Sequence, residues 1–265
     1  MNKYIAKPTF HPYNKHILFE VIPMTKVDML NIIYEYLAQL MECEVADFTK
    51  EETTFSVRNI EEPFLKIIIC RNSIVVTVSP NLYSKAVSLL ENKSRDELFE
   101  CPLIYGQTIH YIPDLSNISA PALPDGFTYS LLQGEDINNL SDITGFDNSL
   151  VFDDNSRTNS VIAFVAYRGD AVAAVAAASI AYDNLWEVGI DVLPAFRNQG
   201  LATAMVRELT SAILHKGKVP FYSASITNIG SQMVATRAGY LPYWVDSWGN
   251  IHDEYYPYNL KDIIE

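Results

Sequence analysis

At 265 residues, 49% of them hydrophobic and 19% charged, the chain describes one large or two modest well-cored domains and excludes a disordered one. Its formal net charge of −13 excludes a nucleic-acid binder, which needs a basic face for phosphate, and suits solubility or the attraction of cationic amines. No apolar run approaches the roughly 18 residues of a membrane span, and the opening MNKYIAKPTFHPYNK lacks a signal-peptide core, so a cytoplasmic protein is expected.

Residues 1–24 read as an irregular entry carrying Pro8, Pro12 and Pro23. A helix is predicted over 27–40, where Met29, Leu30, Ile33, Tyr36, Leu37 and Leu40 share one face. Strands are predicted at 53–57, 64–70 and 74–78, the last two joined by the turn Arg71-Asn72-Ser73. Pro80 and Asn81 open a helix through 90, Ser94 opens another to 100, and a strand follows over 103–112. This first half carries no catalytic constellation. Cys43, Cys70 and Cys101 form no C-x-x-C, and the five histidines form no ligand cluster, so no metal site is expected.

The small, polar stretch SNISAPAL at 116–123 is the expected linker, dividing the chain into residues 1–118 and 122–265. Beyond it come a strand at 127–132, helices at 133–140 and 141–146, and a polar loop at 152–160. Strands at 161–167 and 171–181 meet at Arg168-Gly169-Asp170, which reads as a hairpin tip rather than an adhesion motif. The tail around Asp253-Glu254-Tyr255-Tyr256-Pro257-Tyr258 suggests a closing strand.

The chain is organised around residues 185–214. Trp186, Val188, Ile190 and Val192 alternate with Glu187, Gly189 and Asp191 as a strand, and Pro194 ends it. After Gly200 the period changes, and Leu201, Met205, Leu209, Ala212 and Ile213 mark a helix face. The first helical turns leave N–H groups unpaired beside a positive dipole end, and Gly200 lets a bulky anion approach them. Neither a G-x-G-x-x-G run nor a nucleotide P-loop is present.

The pattern V-x-P-x-[aromatic]-R-x-x-G-x-A at 192–202 resembles the acyl-coenzyme A signature of the GNAT acyltransferase superfamily. A second segment, VPFYSASITNIGSQMVATRAGY at 219–240, is similar to the N-x-x-S/A…G-F/Y half of the same superfamily. Asn228 paired with Ser231 looks most like the branch of zwittermicin-type self-resistance acetyltransferases. The resemblance implies an α/β (α+β) protein with a mixed, mostly antiparallel sheet flanked by helices in 122–265; the elements of the first half read by themselves as a smaller N-terminal α/β domain of unknown role.

It also implies acetyl-coenzyme A as acyl donor, with no metal, and a small-molecule amine as acceptor. Oligomeric state stays open, a homodimer included. Backbone groups of Ile190, Asp191 and Val192 would pair with the pantetheine arm. The pyrophosphate would rest on Asn198, Gln199, Gly200, Leu201, Ala202 and Thr203 with Arg197 adding a cation, and Asn228 and Ser231 would hold the arm. Glu187 is the candidate general base, Asp191 the alternative, and the Val192 N–H would meet the oxyanion. Ala235 stands where many relatives carry the tyrosine that protonates the leaving thiolate. Tyr222, Tyr240 and Tyr243 are the nearby substitutes. The competing readings are a non-catalytic acyl-coenzyme A sensor and an interaction protein working through its first half.

Overall fold

The computed structural model describes residues 24–101, 104–118 and 122–249; the irregular entry, part of the linker and the closing strand around Asp253 lie outside the described residues. The chain forms two compact units, and each takes pieces from both halves of the sequence. An early unit gathers Val27–Ile112, Ser223–Ser231 and the residues from Pro242 on, and a late unit gathers Pro113–Tyr222 and Gln232–Leu241. The first crossing, at 112/113, lies close to the expected linker, whereas the returns at 223 and 242 have no counterpart in the linear division.

In the early unit, α1 (Lys26–Leu40) turns Met29, Ile33 and Leu37 inward, and β1 (Thr53–Val57), β2 (Leu65–Cys70) and β3 (Ser73–Val78) follow. β2 and β3 are an antiparallel hairpin, while β1 lies parallel to β3. Arg71 at the hairpin tip takes a φ of +55°. Alternate residues Leu65, Ile67, Ile74, Val76 and Val78 face α2 (Tyr83–Leu90) and α3 (Arg95–Phe99) through Ala86, Leu90 and Leu98. A reciprocal capping box between Ser94 and Glu97 starts α3. β4 (Ile104–Pro113) closes the continuous part of this unit.

The late unit runs through β5 (Thr128–Gln133), β6 (Ser160–Arg168), β7 (Ala171–Tyr182), β8 (Leu185–Val192), α4 (Leu201–His215), β9 (Val219–Ser225) as far as Tyr222, and α5 (Ile229–Arg237) from Gln232 on. Its strands lie in the order β9-β8-β7-β6-β5; all neighbours are antiparallel except β8 with β9. Last comes β10 (Tyr240–Gly249), which pairs antiparallel with β2 from Trp244↔Cys70 to Trp248↔Lys66. The expected mixed, mostly antiparallel sheet with flanking helices is present.

Two expected helices differ. Residues 134–140 form a 3₁₀ helix, and 141–146 are turns. Ile137, Leu140, Phe146 and Leu150 all enter one core with Ala163, Val165, Val175 and Ala177. Gly145, at a φ of +87°, breaks the run between those anchors. So short a segment has little helical stability of its own, and packing decides its path.

Candidate active site

β8 is shaped by its two neighbours. Its register with β9 runs from Leu185↔Val219 to Val188↔Tyr222, and β8 continues for four more residues. On the other side it pairs with β7 as far as Val192↔Ala174, and the Leu193 N–H donates to the Ala173 carbonyl at 3.0 Å. That bond sets the phase of the antiparallel ladder. Asp191 and Gly189 turn their backbone groups toward β7, whereas Ile190 and Val192 turn theirs away from it. The Arg197 Nε–H takes up the Val192 carbonyl at 3.0 Å. On the edge turned away from β7, the Ile190 N–H and C=O and the Val192 N–H remain for a substitute strand.

The chain then turns sharply. A 3₁₀ turn, Pro194–Phe196, is seated by Phe196 edge-on to Phe127 at 5.9 Å. Asn198 and Gly200 follow with φ of +61° and +79°, and Gly200 stands at the N-cap of α4. A Cβ placed at Gly200 would meet no protein atom within 4 Å, so the space over the helix start is open. Arg197, Asn198, Gln199 and Gly200 are all exposed. Below them Leu201, Met205, Leu209 and Ile213 anchor α4 in the core. Exposed amides, a positive dipole end and a left-handed glycine make a fit place for a pyrophosphate. Residues 197–203 are contiguous in the late unit. Asn228 and Ser231 belong to the early unit, where the Asn228 Oδ1 accepts the Ser231 N–H at 3.1 Å as an N-terminal cap of α5.

The acidic residues of β8 have different surroundings. Glu187 is half-buried, in register with Ser179 on β7 and Phe221 on β9. Asp191 is fully engaged: its carboxylate accepts the backbone N–H groups of Asn148 at 2.9 Å and Ser149 at 2.8 Å, the Asn148 Nδ2 at 2.6 Å and the Ser149 Oγ at 3.0 Å. The Asn148 carbonyl lies where a Gly189 Cβ would be, so the glycine admits the loop backbone. Asn148 and Ser149 were missed because 141–150 reads as the end of a helix and a loop; the Gly145-Phe146-Asp147-Asn148 run was the available turn signal. The same loop walls a pocket of about 290 Å³ lined by Ser141, Ile143, Phe146, Asp147, Leu150 and Phe152, with Val151 at its rim.

Ala235 is fully buried in α5. Of the three tyrosines considered as acids, Tyr240 is buried with its hydroxyl 2.6 Å from the Thr210 hydroxyl, and burial pushes its phenol well up. Tyr243 belongs to the early unit, shares a 2.7 Å hydrogen bond with Tyr34, and is pushed up chiefly by burial. Tyr222 is buried with its ring 6.2 Å from that of Tyr240. Burial likewise raises the Cys43 and Cys70 thiols to about 12, so neither is a thiolate nucleophile at neutral pH. Among the described residues, no group of three His, Cys, Asp or Glu side chains is placed to hold a metal, and no helix is long and apolar enough to cross a membrane.

Residues 120–242 match the model of the GNAT acetyltransferase family. No curated protein matches the chain. Among solved structures, it is similar to a GCN5-related N-acetyltransferase-like protein from Streptococcus suis, with 19% identity, 69% of this chain and 82% of that one covered, and a TM-score of 0.44. It is also similar to a GCN5-related N-acetyltransferase from Sphaerobacter thermophilus, at 12% identity, 69% and 74% coverage and a TM-score of 0.47.

Proposed function

We propose that this chain, whose residues 120–242 match the model of the GNAT acetyltransferase family, transfers the acetyl group of acetyl-coenzyme A to the amine of a small molecule. One observation carries the reading. A strand edge offering the backbone groups of Ile190 and Val192 runs, within a few residues, into an open helix start headed by the left-handed Gly200. The thiol arm of coenzyme A takes strand-like backbone pairing and its pyrophosphate takes helix amides. Pantetheine pairing falls to Ile190 and Val192, because the backbone of Asp191 serves β7. Arg197 supports the loop through the Val192 carbonyl and adds positive charge, and the amides of 198–203 receive the pyrophosphate. We assign the transfer chemistry to 122–265 and no role to 1–118.

The acceptor reaches neutral water as an ammonium and must lose a proton before attack. Glu187 takes it, directly or through water, since four donors already occupy Asp191. The free amine adds to the thioester carbonyl, forming the N–C bond, and the Val192 N–H donates to the oxyanion. Collapse re-forms the carbonyl and breaks the C–S bond, the adduct nitrogen gives its extra proton to water, and coenzyme A leaves as a thiolate. With Ala235 at the usual tyrosine position and Tyr240 buried, no dedicated acid is required: a thiol of pKa near 8.5 is already a fair leaving group. The buried Ala235 also supports a second reading, a sensor that binds acyl-coenzyme A without turning it over. Thiol release from acetyl-coenzyme A with a panel of small amines separates the two: amine-dependent release supports transfer, and coenzyme A binding without release selects the sensor.

A further inference from the structure

Asp191 is bound more fully than a reacting carboxylate needs to be. All four of its contacts come from two consecutive residues, Asn148 and Ser149, through both backbone N–H groups and both side chains. Hydrogen bonds to a charged group are stronger than neutral ones, and four to one carboxylate make a rigid joint. Two residues away on the same face of β8, Gly189 lets the Asn148 carbonyl come closer than any side chain would allow. One strand thus provides both the clamp and the clearance for one loop.

The residues flanking that joint are the walls of the 290 Å³ pocket: Phe146 and Asp147 precede it, and Leu150 and Phe152 follow. Phe146 and Leu150 are buried and belong to the core, so they cannot shift without disturbing it. Asp147 is exposed and brings a carboxylate among lining side chains that, Ser141 apart, are otherwise apolar. A cleft that sets apolar side chains beside one negative group suits a cation carried on an apolar body.

We propose that this pocket receives the acceptor as an ammonium on an apolar, arylalkyl-sized body, with Asp147 as its counter-charge, and that Asp191 is a positioning residue that fixes the pocket wall against β8. The proposal rests on the acyl-transfer reading for its chemistry, but the binding site stands or falls without turnover. Asp191 moves no proton in it. The clamp sets the distance between the bound ammonium and the strand that presents the thioester.

Calorimetry with 2-phenylethylamine as the probe and phenylacetate as the oppositely charged control tests the site directly. The amine is expected to bind and phenylacetate not to, and Asp147→Asn should weaken the amine at least about fivefold. Asp191→Asn removes the negative charge and leaves one acceptor oxygen where two served four donors, and should weaken amine binding roughly tenfold. Coenzyme A affinity should stay within about twofold. Asn148→Asp added to Asp191→Asn restores a donor–acceptor pair with the charge exchanged and should recover most of the loss, which a general structural defect would not. Ser149→Ala, which removes one contact of four, gives a milder variant should Asp191→Asn not fold. Where turnover is measured, KM for the amine should rise while kcat and its pH profile hold. Wild-type protein that binds the two probes alike, or neither, overturns the site. Unchanged amine affinity in folded Asp191→Asn and Ser149→Ala variants, or a displaced pH profile with KM held, overturns the positioning role. Loss of thiol release with every amine, while the probe still binds through Asp147, counts against the transfer reading and leaves the site standing.

Discussion

In the early unit a fully buried lysine depends on one carboxylate, and removing that charge should cost stability by a calculable amount. Lys66 Nζ lies 2.5 Å from Asp246 Oδ2, and the His110 Nε2 lies 3.2 Å from the other carboxylate oxygen. The Lys66 and Asp246 side chains are only 1% and 9% exposed, so solvent screens the pair little. Burial pulls the lysine below its usual range despite Asp246, whereas Asp246 is held below the carboxylate range by His110 and Lys66 against the opposing effect of burial. Asp246→Asn keeps the shape and removes the charge. Stranding a buried cation costs about 3–5 kcal/mol. The lysine can escape by releasing its proton, which from a free pKa near 10.4 limits the cost at pH 7 to about 4.6 kcal/mol. The sign of the pH dependence follows. A lysine whose folded pKa is depressed penalises the fold below that pKa and is relieved as pH rises toward the unfolded value, so at pH 9 the ceiling falls to about 2 kcal/mol. Asp246, depressed in the fold, adds stability above about pH 4 that is lost as pH falls through its folded pKa, and the two proteins should converge in acid. Urea unfolding followed by tryptophan fluorescence reads this well. Trp244 stacks on His110 at 4.5 Å, and the Lys66 Nζ sits 3.5 Å over the Trp248 ring. A variant within about 1 kcal/mol of wild type at pH 7, or a difference that does not shrink by pH 9, would refute the reasoning.

Glu187→Gln should lower turnover by roughly 100- to 10,000-fold with coenzyme A affinity unchanged, and the loss should shrink at high pH, where the amine arrives neutral; near-normal turnover at pH 7 would move the proton to water. Tyr240→Phe removes the bond to Thr210 and should cost about 1 kcal/mol in unfolding without slowing turnover; a slower enzyme with an altered alkaline limb would make Tyr240 the acid after all. Arg197→Ala should weaken coenzyme A less than a change at Gly200, because the helix amides carry most of the anion's charge; calorimetry reporting the larger loss at Arg197 would reverse that order.

Much of the late unit was legible in the chain. A period of two followed by a period near 3.6 around Pro194 and Gly200 located β8 and α4, because one face of each is buried and the other is not. Gly200 was readable only as a missing Cβ; its left-handed φ belongs to the turn between Pro194 and α4. Less readable was whatever depends on contacts distant in sequence. Asp191 looked like a spare base because its four donors lie more than 40 residues earlier. Nor did the chain around Gly189 signal the carbonyl packed against it, which comes from the same distant loop. Lys66 and Asp246, 180 residues apart, carried no local signal at all, since a lysine in a strand is ordinarily a solvated residue. Nor did any local pattern announce that Ser223–Ser231 and β10 would return to the early unit, a choice made by strand pairing and not by propensity.

Titration of coenzyme A into wild-type protein and into Gly200→Val tests the central claim most directly. The new Cβ meets no protein atom within 4 Å, so no clash opposes folding, and the left-handed φ costs roughly 1–2 kcal/mol. It projects into the space over the first α4 amides, where the pyrophosphate must sit. The account predicts one coenzyme A bound per wild-type chain and at least a tenfold weaker affinity in a folded Gly200→Val variant. Equal affinity in the two, with the variant's circular dichroism unchanged, would show that the anion binds elsewhere and contradict the site.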